Sequence, residues 1–151
     1  MKERWLPVGV IAAVLFAVNL VARWVAKGIT DADRQSVAGL VALGVIGLVF
    51  LVMAVYWGRV RPQARVVADL AAAGGVACLL SILVGPLLAG EGPFAHGAGA
   101  FFNQIWLYAG VFIIGTGLGL VGLMAFNADH RARQLKAFAQ QQHSKARPRR
   151  A

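Results

Sequence analysis

The sequence predicts an all-α protein, a four-helix antiparallel transmembrane bundle with a short basic cytoplasmic tail. Four uncharged, strongly apolar runs, Trp5–Ala22, Gln35–Gly58, Leu70–Gly90 and Phe101–Phe126, occupy most of its 151 residues. Each is near or above the ~20 residues that cross a ~30 Å hydrocarbon core as a helix. With 59% hydrophobic and only 14% charged residues, the chain has too little polar surface to cover a water-soluble globule. Lys and Arg gather at the ends of the runs, as topology requires in a membrane protein.

The first helix is expected over about residues 5–26. Pro7 fits a first helical turn, where its missing N–H costs nothing. Trp5 and Trp24 lie 19 residues apart, about 28 Å along a helix, which sets their rings at opposite interfaces. Lys2 and Arg4 before an apolar stretch also fit a secretory leader. The stretch is longer than the roughly 7–15 residues of such a leader and closes on Val21-Ala22-Arg23-Trp24 rather than a small-x-small site, so a retained span is expected. Arg23 is expected to snorkel outward from the helix end, and Asn19 to make an interhelical hydrogen bond.

The second helix is expected over about 36–58, closed by Tyr56 and Trp57 beside Arg59, with Trp57 joining Trp5 and Trp24 in an interfacial belt. The following loop, Gly58–Arg65, holds Arg59, Arg61 and Arg65 and no acid, the clearest topological signal in the chain.

Helices three and four are expected over about 66–89 and 101–126. In lipid, helices associate through close contact along small residues. The third carries Ala73, Ala77, Ser81 and Gly85 at four-residue spacing after Asp69, and the fourth carries Gly115, Gly119 and Gly122. These are candidate packing faces, against each other or across a homodimer seam. Pro86 is expected to kink or end the third helix. The hydroxyls of Ser81 and Thr116 can bond back to their own backbone. Cys78, the sole cysteine, is a small packing residue and permits no intramolecular disulfide. The glycine-rich loop Gly90–Gly99, broken by Pro93, is expected to be an ordinary irregular outer loop, the alternative being an outward contact surface in which Phe94, Phe101 and Phe102 dip into the interface.

Charge sets the orientation. With the N-terminus inside, the internal segments carry 2, 3 and 7 Lys/Arg and the external ones 3 and 0, the positive-inside pattern of an N-in, C-in protein. Residues 1–126 then form the membrane domain and 127–151 the basic tail. The tail's first part is able to prolong helix four, with Leu135 and Phe138 resting on the membrane; beyond Gln140 its composition cannot bury a core and disorder is expected. Arg59, Arg61, Arg65, Arg131, Arg133 and Lys136 are candidate contacts for anionic lipid headgroups. Nucleic acid is not an expected partner despite the net charge of +9, because the cations follow the span ends.

Chemistry is sparse. Gly117-Leu118-Gly119-Leu120-Val121-Gly122 matches GxGxxG as a string, yet a dinucleotide site needs a strand before it and a free helix N-terminus. His96, His130 and His143 all fall outside the runs, no cofactor or metal motif exists, and catalytic residues are not found. Asp69 and Asn19 are the candidate intramembrane or interfacial polar groups, Asp69 pairing with Arg65 or Arg61 near the cytoplasmic side. No resemblance to a known family reaches the level of motifs. The Ala, Gly, Val and Arg bias suits a GC-rich bacterium and a cytoplasmic-membrane address. The expectation is a non-enzymatic accessory or structural subunit packing with itself or a larger complex. An oligomeric transporter of small solutes or ions is the alternative, and an enzyme acting on lipid or quinone a weaker one.

Overall fold

A computed structural model of the chain describes residues 2–88, 97–126, 128 and 130–145. It contains five helices: α1 (Lys2–Lys27), α2 (Ala32–Gly58), α3 (Gln63–Leu88), α4 (Gly97–Ala125) and α5 (His130–Lys145). The first four are each long and apolar enough to cross a membrane. No strand occurs among the described residues, and the chain is an all-α membrane bundle. The expected outer loop falls mostly on 89–96, outside the described residues, as do 146–151 of the tail.

The helices extend a few residues beyond their apolar runs because polar residues cap them. Asp31 caps α2, its carboxylate accepting from the Asp33 N–H at 3.1 Å. At the start of α3 the Pro62 carbonyl accepts from the Arg65 and Val66 N–H groups. The α1–α2 and α2–α3 turns, residues 28–31 and 59–62, are therefore short, which forces each consecutive pair antiparallel. Pro7 sits in the second turn of α1 rather than the first, since the helix begins at Lys2. Pro86 lies two residues before the end of α3.

The most extensive contacts are between non-consecutive helices, α2 with α4 and α1 with α3. Both pairs run parallel: Gly47 and Leu51 of α2 face Gly115 and Gly119 of α4 in the same order. The contacts α1–α2 and α3–α4 close a four-membered ring, and α2–α3 closes across one diagonal. Phe50 fills that diagonal. It is fully buried, lies against Gly74 of α3 and stacks edge-on with Phe112 of α4 at 5.4 Å. Leu15, Ile46, Val66, Leu70, Ala73 and Ala77 complete the buried apolar core.

Several expectations need correction. The small residues of α4 pack on α2, not α3: a Cβ on Gly115 would lie 2.6 Å from the Gly47 carbonyl oxygen, and one on Gly119 2.7 Å from that of Leu51. Gly122 makes no such approach: a Cβ there meets nothing within 4 Å, since it borders a cavity shared with Leu51 and Val55 of α2 and with Arg59. Trp57 leaves the interfacial belt and is 4% exposed, under the Arg61 guanidinium 4.6 Å from its ring centroid. Trp5 and Trp24 do lie on the surface at opposite ends of α1. The tail is helical to Lys145, past the expected limit at Gln140, since glutamine and lysine are adequate helix formers. It is set off from α4 by the turn after Ala125, and Leu135 and Phe138 remain exposed.

Candidate functional site

Two polar clusters lie inside the bundle, one near each end. The first is built on Asp69, four residues from Arg65 in the first turns of α3. Helical side chains lean toward their own N-terminus, which aims the Asp69 carboxylate at the α2–α3 turn. There it accepts a hydrogen bond from Arg61 Nη1 at 3.1 Å. The Asp69 side chain is 5% exposed and that of Arg61 30%. Arg61 thus covers both Asp69 and Trp57, anchoring the turn to the core.

The second cluster is built on Arg23 and escaped the sequence reading. The same tilt that serves Asp69 works against snorkelling here: in the last turns of α1 a side chain leans back into the bundle, not toward the nearer surface. Arg23 Nε donates to Asn19 Oδ1 one turn earlier, at 3.2 Å. Its Nη2 donates to the Ser81 carbonyl of α3 at 3.2 Å and to Gln104 Oε1 of α4 at 3.3 Å. Gly85 admits the guanidinium, since a Cβ there would lie 3.3 Å from Arg23 Nε. The Ser81 hydroxyl shares a 3.5 Å hydrogen bond with the Tyr108 hydroxyl, which is buried. Among the described residues every partner of Arg23 is uncharged.

Beside Arg23 a cleft of about 370 Å³ opens between α1, α2 and α4. Asn19, Gln35, Asn103, Gln104 and Tyr108 supply its polar lining, and Ala42, Leu43, Ile46 and Leu107 its apolar wall.

The remaining candidates distribute as follows. Ala73, Ala77, Ser81 and Gly85 are all buried on α3, with Ser81 and Gly85 at Arg23. Arg59 and Arg65 are exposed at the α2–α3 turn end, and Arg131, Arg133 and Lys136 are exposed on α5. Thr116 is buried with its hydroxyl unpaired among the described residues, so the expected bond back to its own helix is not made. Cys78 is a buried free thiol. Gly117–Gly122 lies within the last third of α4, with no strand among the described residues and no helix start at hand for a phosphate.

No family model matches the chain, and no curated protein or solved structure resembles it significantly, so the site rests on its own geometry.

Proposed function

We propose that this chain is a non-enzymatic, multi-pass subunit of a bacterial cytoplasmic membrane, with both termini inside, that packs with itself or with a larger membrane complex. One observation supports this above the alternatives. Between the Arg23 and Asp69 clusters lie Phe50, Leu15, Ala73 and Ala77, a packed apolar layer of fully buried side chains. Asp69 and Ser81 mark the two levels on α3, about 18 Å apart along the helix. Among the described residues that layer holds no carboxylate to carry a proton or ion across it, and its buried polar group is the Thr116 hydroxyl beside Gly115.

The inner face of such a subunit offers Arg59, Arg65 and the α5 cations to anionic headgroups, each worth up to ~1 kcal/mol near the surface. Native extraction in mild detergent followed by native mass spectrometry tests the proposal. The expected result is a stoichiometric assembly, homomeric or with a partner; a purely monomeric species overturns it.

A second reading, an oligomeric transporter, draws on the Arg23 cleft, which supplies a binding step. Solute uptake by proteoliposomes of the assembled protein would favour it, and an Asp69→Asn variant with unchanged uptake would remove Asp69 from the mechanism.

A further inference from the structure

We propose that the Arg23 cleft is a binding site for a phosphate or phosphodiester group, whether borne by a lipid headgroup or free in solution. The argument starts from charge. A guanidinium drawn inside a membrane bundle is costly unless an anion accompanies it, and neutral acceptors return only part of the lost hydration. Arg23 is held by Asn19, the Ser81 carbonyl and Gln104, which fix its plane but leave its positive charge unbalanced among the described residues.

Its hydrogen-bond inventory points the same way. A guanidinium has five N–H groups. Nε and Nη2 are committed to α1, α3 and α4, whereas both hydrogens of Nη1 lack a partner among the described residues. The committed bonds act as a brace, so an arriving anion meets a donor already oriented, without the entropy cost of ordering a free arginine.

The cleft adds donors from other directions. Gln35 of α2 and Asn103 of α4, both with amide side chains, are among its lining residues. With Arg23 Nη1 and the amide residues of α2 and α4 on one cleft, a ligand with several acceptor oxygens, such as a tetrahedral phosphate, suits it better than one with two. Below the polar lining, Ala42, Leu43, Ile46 and Leu107 form an apolar wall. That wall suits the glycerol and upper acyl segment of an amphiphile and gives a free anion nothing, which is why the two sources separate experimentally.

The site is tested on the full chain, purified and delipidated in an uncharged detergent. Binding is followed by isothermal titration calorimetry with short-chain phosphatidylglycerol and, separately, with inorganic phosphate. Saturable binding of either supports the site. Saturation by phosphatidylglycerol alone assigns a lipid headgroup; saturation by inorganic phosphate assigns a free anion. Arg23→Gln is expected to weaken binding about ten-fold or more, the equivalent of one charge-assisted hydrogen bond. Should Arg23→Gln fail to fold, by circular dichroism and size exclusion, the double variant Gln35→Leu/Asn103→Leu decides, since neither residue holds Arg23 in place. It is expected to weaken binding at least about three-fold, on the order of one neutral hydrogen bond. No binding of either probe by the native chain, or unchanged affinity in a folded variant of either kind, overturns the proposal.

Discussion

Gly115 of α4 lies so close to α2 that a methyl group on it would stand 2.6 Å from the carbonyl oxygen of Gly47, well inside van der Waals contact. Gly119 repeats the relationship one turn later, 2.7 Å from the Leu51 carbonyl and 2.8 Å from the Ala54 Cβ. Because the obstacles are backbone and Cβ atoms, no rotamer change relieves them. Gly115→Ala and Gly119→Ala are each expected to destabilise the bundle by about 1–3 kcal/mol. Gly122→Ala, which meets open space, is expected to stay within about 0.5 kcal/mol. Thermal unfolding in detergent, followed by circular dichroism, checks all three, and equal behaviour would refute this seam.

Arg61 and Asp69 form the second target. Asp69→Leu strips Arg61 of its carboxylate and is expected to cost about 2 kcal/mol, below the ~3–5 kcal/mol of a fully buried pair because Arg61 is 30% exposed. Asp69→Asn retains an oxygen acceptor for Arg61 Nη1 and is expected to cost about half as much. Denaturation by sodium dodecyl sulfate, with helicity as readout, ranks the two; the reverse order would contradict the pairing.

Thr116 supplies a change of opposite sign. Its hydroxyl is buried and unpaired among the described residues, so Thr116→Val removes a desolvated polar group at nearly constant volume. A gain of about 1 kcal/mol is expected in the same unfolding assay. A loss would mean that the hydroxyl has a partner.

Orientation is checked by labelling. In a Cys78→Ser background, Thr30→Cys in the exposed α1–α2 turn is expected to react with a membrane-impermeant maleimide on intact cells. A reporter fused after Ala151 is expected to read cytoplasmic. Either result reversed would invert the topology drawn from charge.

Much of the fold was legible because membrane spans announce themselves by length and composition, a signal that does not depend on tertiary detail. The Asp69–Arg61 pair was also within reach, since Asp69 lies in the second turn of α3, two turns from the Arg61 that precedes it. The partners of α4 were not: Gly115-x-x-x-Gly119 declares a close approach but not the helix approached, and a ring of four permits more than one neighbour. Trp57 and Arg23 were misread for a common reason. Residue type alone places a tryptophan or arginine near a span end at the interface, whereas which way it faces depends on helix direction and azimuth. The tilt of side chains toward the helix N-terminus was the available signal for Arg23, combined with its place at the C-terminal end of α1.

The bonds of Arg23 to Ser81 and Gln104 reach across 58 and 81 positions of sequence. At about 5–20 residues per second, synthesis delivers those partners several seconds after α1 has left the ribosome. During that interval the first hairpin holds Arg23 on Asn19 alone, and the α2 groove destined for Gly115 and Gly119 lies bare. Arrival of the fourth span closes the groove on Gly115 and Gly119 and adds Gln104 as the last of the acceptors around Arg23. A chain truncated before α4 would keep Asn19 and the Ser81 carbonyl as acceptors for Arg23 but leave the α2 groove open.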